Sequence, residues 1–152
     1  MSSELSSNQG YLALYRETTE GVASNTSPTY VPMYEESLHT EMNPETETSI
    51  FGSRFARFQV TPGIRSHGGD LTVMAEPNST ARVFDMLLTR GTITGSGPYN
   101  WPFTASFTKP GSYTGDLSTG NQVIRVVGMQ ASEVSPSWTD NEMRWKVKVL
   151  AL

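Results

Sequence analysis

An all-β domain, sandwich- or barrel-like with one short flanking α-helix, is the fold class that the sequence predicts, and three observations carry it. The hydrophobic fraction is 36% and the charged fraction 17%, with Ser, Thr, Gly, Asn and Pro filling much of the rest. These are the residues of turns and polar strand faces. Period-two alternation recurs along the chain, most clearly over 70–76 and 143–151. Turn clusters separate these runs, and one segment alone has a helical period. A chain of 152 residues is one domain's worth, so residues 1–152 are read as a single domain. Disorder is a poor description of a chain with 10% aromatics and a net charge of only −4.

Residues 1–9 are polar and are expected to form a flexible N-terminal segment. Tyr11 to Glu17 then reads as a first strand and Thr18 to Pro28 as a loop of small polar residues. Tyr30-Val31-Pro32-Met33 is extended, with Pro32 pointing to a sheet edge or a strand start. Ser37 to Met42 is a further strand, with Leu38, Thr40 and Met42 on one face.

From 43 to 63 the periodicity fails. Asn43-Pro44-Glu45-Thr46-Glu47 is acidic, whereas the stretch from Ile50 to Phe58 is basic and aromatic. A long segment of this kind inside a compact domain is usually functional. Phe51, Phe55 and Phe58 would be a costly exposed patch on a monomer, so the segment is expected to pack against something.

Asp70 to Glu76 alternates, with Leu71, Val73 and Ala75 on one face and Asp70, Thr72 and Glu76 on the other. The helix follows. Pro77-Asn78-Ser79-Thr80 supplies its start; Ala81, Phe84, Leu87 and Leu88 supply its apolar stripe, and Gly91 its stop. Two hairpins close the chain, one about Thr119-Gly120-Asn121 and one about 139–142. In the last strand Met143, Trp145, Val147, Val149 and Ala151 form the core face, opposite Arg144, Lys146 and Lys148.

The residues of chemistry are sparse. There is no cysteine, hence no disulfide, thiol nucleophile or Cys–zinc site. His39 and His67 lie far apart in sequence without partners at ligand spacing, and they read as surface or turn residues. Glu35-Glu36 and Glu45/Glu47 lie in polar runs and read as solvated rather than as an acid–base pair. No phosphate-binding loop or nucleophile elbow occurs. The sequence thus predicts a protein that is not an enzyme and needs no cofactor or metal. Neither a signal peptide nor an apolar run of membrane-spanning length is visible, so a cytosol-like compartment and no membrane partner are expected. Tyr99, Trp101 and Trp138 offer a stacking platform for a carbohydrate, but core packing or loop cover is the commoner use of such residues. Arg144, Lys146 and Lys148 make too thin a patch for sequence-reading of DNA.

The charge distribution is more telling. Residues 1–50 hold eight carboxylates against Arg16 alone, a net of −7, and residues 51–152 carry a net of +3. Unlike surfaces on identical subunits favour head-to-tail contacts, which give rings or filaments rather than two-fold dimers.

The order of these features resembles the tail tube proteins of long-tailed, siphovirus-type bacteriophages. The opening Gly10-Tyr11-Leu12-Ala13-Leu14-Tyr15-Arg16-Glu17-Thr18-Thr19-Glu20-Gly21 is similar to that family's first strand and charged turn. Tyr30-Val31-Pro32-Met33-Tyr34-Glu35-Glu36-Ser37-Leu38 is similar to its "y-v-P-…-E-S-L" segment, and Thr61-Pro62-Gly63 through Leu71 to its strand entry. The helix from Pro77, the turn Gly95-Ser96-Gly97-Pro98-Tyr99 and the closing hairpin follow in order. Co-linearity over nearly the whole chain carries the resemblance. The three-Phe loop and an end directly on a strand depart from it.

The resemblance implies a structural virion protein of the phage tail, assembled in the bacterial host cytoplasm. Its subunits form hexameric rings that stack into a hollow tube for DNA ejection. The implied partners are other copies of itself, a tape measure protein, a tail terminator and double-stranded DNA passing non-specifically through the lumen. Residues 43–63 become an inter-subunit loop, with Glu45, Glu47, Phe51, Arg54, Phe55, Arg57 and Phe58 as its stacking arm. Because lumenal cations would hold DNA back, Asp70, Thr72 and Glu76 are the lumen candidates, and Arg144, Lys146 and Lys148 are expected to face elsewhere. The alternatives are a tail terminator or head–tail connector that stops at one ring, and a carbohydrate-binding β-sandwich module.

Overall fold

The structure, a computed structural model, describes residues 11–42, 44–46, 60–61, 63, 65–105, 108–118 and 122–151. Among the described residues it is mostly β-sheet with a single short helix. The strands are β1 (Tyr11–Arg16), β2 (Thr29–Val31), β3 (Met33–Glu36), β4 (His39–Met42), β5 (Glu45–Thr46), β6 (Val60–Thr61) and β7 (Arg65–Met74). Helix α1 (Pro77–Leu87) comes next, followed by β8 (Thr89–Arg90), β9 (Phe103–Thr104), β10 (Tyr113–Ser118), β11 (Val123–Thr139) and β12 (Glu142–Ala151).

The main sheet runs β2-β1-β10-β11-β12-β7-β3, with β4 also on β7. Two stretches of chain serve both halves of it. The first part of β11 pairs with β10 and the second part with β12. Strands β2 and β3 sit at the two ends of the sheet, on β1 and β7, yet Pro32 alone separates them. One continuous run, 29–36, therefore bridges the two edges, and the sheet wraps into a barrel-like sandwich. Proline suits the bridge because it has no N–H to leave unpaired; its carbonyl accepts from the Met74 N–H at 3.0 Å.

Inside the wrap, Leu12, Leu14, Leu71, Val73, Leu117, Met129, Val147 and Val149 are buried together with Val83 and Met86 of the helix. Each such aliphatic side chain contributes about 1.5–3 kcal/mol on burial. The alternation seen in β12 and in Leu71/Val73 is thus the core face. The helix differs from its expected stripe. Its deepest residues are Ser79, Val83, Asp85 and Met86, while Phe84 lies higher and packs edge-on against Trp145. Gly91 is not its stop: the helix ends at Leu87, with the Leu88 N–H bonded to Phe84, and the Gly91 N–H instead bonds to Pro102. Strands β10 and β11 pair antiparallel as expected, with the turn 119–121 outside the described residues. The second hairpin turns through Asp140 and Asn141, both at positive φ, as a two-residue loop that follows the strand twist requires.

Two buried carboxylates tie the loops to this frame. Asp85 Oδ2 accepts from the Tyr113 hydroxyl at 2.5 Å and from Arg16 Nε at 3.0 Å, with Arg90 Nη1 at 3.3 Å. Burial and the neighbouring carboxylate push the Tyr113 phenol far above its ordinary pKa. Glu17 Oε1 accepts from the Thr114 hydroxyl and the Gly128 N–H, each at 2.8 Å, and its Oε2 from the Gly21 N–H at 3.0 Å. That carboxylate folds the polar loop after β1 over the outer face of β10.

Strands β3 and β4 form one interrupted run along β7. At the interruption, Gly69 has φ +151, and a Cβ there would overlap the Ser37 carbonyl oxygen and stand 2.8 Å from Leu38 Cα. Gly69→Ala is expected to lower stability by roughly 2–3 kcal/mol through backbone strain and collision. Urea denaturation monitored by tryptophan fluorescence checks this; an unchanged midpoint would show that β4 is not held against β7.

Candidate assembly surfaces

The long loop has an ordered root. Strand β4 pairs with β7 as far as Met42 opposite Arg65, and β5 and β6 form a separate two-stranded ladder, with Glu45 opposite Thr61 and Thr46 opposite Val60. Within the segment 43–63, residues 45–46 and 60–61 thus lie side by side as an antiparallel pair, where the sequence shows only broken periodicity. Backbone pairing, not side-chain pattern, brings them together. Of the expected arm residues, Glu45 lies in β5; Glu47, Phe51, Arg54, Phe55, Arg57 and Phe58 lie outside the described residues, as does the N-terminal segment 1–9.

A second surface is the free side of β11. Residues Val123–Val127 pair with β10 on one side and with no described strand on the other. Val123 is 59% exposed and Ile124 47% exposed. Beside this edge lies a cleft of about 280 Å³ closed on its far side by Leu38, His39, Thr40 and His67. Cross-strand pairing brings the two histidines there despite their distance in sequence: Thr40 stands opposite His67 and bonds its Nδ1 at 2.8 Å. The Ser37 carbonyl and the Glu41 carboxylate raise the pKa of His39. Exposed β-branched edges invite pairing with another chain, and proteins ordinarily blunt them. Here the one charge on the edge, Arg125, is already committed. Its guanidinium makes a fork to Asp116, 2.6 Å on each side, and also reaches Asn25 at 2.8 Å. Sequence reasoning missed this edge, although the unbroken run Val123-Ile124-Arg125-Val126-Val127 was a usable signal.

The third surface corrects the expected separation of charges. Lys148 stands opposite Asp70 and Lys146 opposite Thr72, and on their other side they face Glu133 and Ser135. Directly opposed residues point to the same side of a sheet. Asp70 and Thr72 therefore share one face with Lys146 and Lys148, around a shallow depression that Glu35 also lines. Glu76 leaves its expected face, and Arg144 keeps to the side of Lys146 and Lys148 with partners of its own. Glu76 is the residue before the helix, and its carboxylate accepts from the Ser79 hydroxyl at 3.3 Å. Arg144 lies 3.7 Å over the Tyr34 ring and pairs with Glu142, whose carboxyl the Tyr34 hydroxyl and Arg144 hold below the usual range.

The fourth is a groove of about 600 Å³ along the start of α1, walled by Pro77, Arg82, Pro98, Tyr99, Trp101 and Phe103. Trp101 is not an open platform: the guanidinium groups of Arg82 and Arg90 lie 4.8 and 5.1 Å from its ring centre. Tyr99 and Trp138 are 65% and 72% exposed. Among the described residues no three metal-ligating side chains converge, and no helix is long and apolar enough to cross a membrane. No protein-family model matches the chain, and no curated protein matches it significantly.

The Asp116–Arg125 fork gives a pH signature. Arg125, above all through its hydrogen bonds, holds the Asp116 carboxyl below its ordinary value. A depressed folded-state pKa adds stability that is present above the unfolded value, roughly pH 4, and is lost as pH falls through the folded one. The stability difference between wild type and Arg125→Gln is therefore expected at neutral pH and to close on acidification. Urea midpoints between pH 7 and 2.5 measure it, and a gap that stays constant to the lowest pH would contradict the assignment.

Proposed function

We propose that this chain is the repeating structural subunit of a hollow tube, assembled from stacked rings as in the tail tube of a siphovirus-type phage. The observation that carries the reading is the bare edge of β11. Sheet addition between neighbouring subunits would cover Val123 and Ile124 and satisfy the free side of the strand. The acidic first third of the chain, the basic remainder and a hairpin arm rooted beyond β4 support contacts between unlike surfaces, which propagate instead of closing on a dimer. The proposed setting is a virion tail, built in a bacterial cytoplasm from hexameric rings, with a tape measure protein, a terminator and passing duplex DNA as partners.

The shared face of β7 and β12 is still the proposed lumenal one, in altered form. Around its depression Glu35, Asp70 and Glu133 outnumber Lys146 and Lys148, and Arg144 on the same side is paired with Glu142. The lysines lie among acids, so the face as a whole repels a polyanion. Assembled tubes are accordingly expected not to retain duplex DNA at about 0.15 M salt, whereas Glu133→Lys tubes retain it in a salt-dependent way. Filter retention of labelled DNA at several salt concentrations reads this, and equal retention by both would remove this face from the lumen.

Electron microscopy of the purified protein tests the main reading. Long hollow tubes are expected from the wild type. Ile124→Lys, at a half-exposed edge position, and deletion of residues 44–58 should each leave soluble protein that does not polymerise. Single rings from the wild type would favour a terminator or connector, and monomers at all concentrations would overturn the assembly reading.

A further inference from the structure

We infer that the groove along the start of α1 receives the acidic arm of a second copy of this chain, residues 43–49, with Arg82 as the anchor for its carboxylates. The inference rests on the tube reading and names the contact that joins successive subunits.

Arg82 is placed like a receptor. Its Nε donates to Thr29 Oγ1 at 3.1 Å and its guanidinium lies over Trp101. Among the described residues no carboxylate stands within ion-pair distance of it, although Arg16, Arg90, Arg125 and Arg144 each have one. Glu76, which also lines the groove, is turned to Ser79. A guanidinium already held by a hydrogen bond and a ring loses little freedom on binding, and its planar fork matches a carboxylate. Around it Tyr99, Phe103, Pro77 and Pro98 give an apolar wall suited to an extended, proline-bearing segment.

The chain contains such a segment. Asn43-Pro44-Glu45-Thr46-Glu47-Thr48-Ser49 has two carboxylates and no cation, and the backbone is extended at 45–46. It cannot reach its own groove. The arm leaves the sheet where Met42 faces Arg65, at one end of β7, and the groove begins just past Met74, at the other. Ten residues of strand separate these ends by roughly 30 Å. Glu45 and Glu47 lie three and five residues beyond Met42, a reach of at most about 18 Å. Donor and acceptor at opposite ends of one subunit make a head-to-tail contact that repeats without closing.

Charge reversal in the full chain tests this. Arg82→Glu, and separately Glu45→Lys with Glu47→Lys, should each raise the concentration needed for polymerisation at least about tenfold, the size of one charge-assisted hydrogen bond. The three changes together should restore it. Arg82→Gln, which keeps the Thr29 contact within reach, should act like Arg82→Glu while its thermal midpoint stays near that of the wild type. Tubes that form normally from both Arg82 variants would overturn the groove contact and leave the tube reading standing. If the wild type forms no tubes, the tube reading falls, and cross-linking then decides the inference. The chain has no native cysteine, so Glu47→Cys mixed with Thr80→Cys reports the contact directly. A disulfide-linked heterodimer that Arg82→Glu abolishes upholds the docking, and its absence in the Arg82 wild-type background overturns it.

Discussion

The architecture depends on two strands that each belong to both halves of the sheet. β11 is paired over its first half with β10 and over its second with β12, and the run 29–36 joins the two outer edges through Pro32. A strand that changes partners has to bend, and the bends lie where the chain allows them. The register of β11 shifts on both of its partners, and Gly128 takes a positive φ near the first shift. Bulges add twist as well as bend, which is how a flat run of strands turns a corner. Once these two corners exist, the inner faces of all the long strands converge on one core.

The buried acids serve that geometry. Glu17 is surrounded by donors from the turn after β1, from β10 and from the bulge in β11, so one side chain holds three segments in register. Asp85 does the same for the helix, β1 and β10. Its Oδ1 has no partner, and Gly111 packs so closely that a Cβ there would stand 3.1 Å from that atom. The hydrogen bonds found for both carboxylates join segments of the protein frame.

What the frame leaves outside is asymmetric. One end carries the hairpin arm and the other the helix groove. One strand edge is bare and β-branched, and one broad sheet face balances lysines against acids. In the proposed assembly these unlike ends would meet head to tail, the kind of contact that open-ended assembly requires.

Much of this was legible in the residues. Alternation in β7 and β12 identified the core face because period two is a property of an isolated strand. The hairpin at Asp140-Asn141 was visible for a similar reason, since turn chemistry is local. The start and length of the helix are local signals, but the apolar stripe through Phe84 and Leu88 is not its deep face. The helix presents Val83 and Met86 because that side meets the sheet, and Phe84 instead meets Trp145, a partner 61 positions away. The charged faces depart from the local pattern for the same kind of reason. Lys146 and Lys148 alternate correctly along β12, yet whether they share a side with Asp70 depends on which strand lies beside β12 and in what register. The sequence by itself thus determined the all-β class, the single helix, the closing hairpins and the charge imbalance, all of which follow from short-range pattern and composition. The tertiary structure alone decided which edge of β11 has no described partner, that residues 45–46 and 60–61 pair, and that Arg82 lies in a groove whose one lining carboxylate, Glu76, is turned to Ser79. Pairing partners and free surfaces are set by contacts between distant residues, which local pattern does not encode.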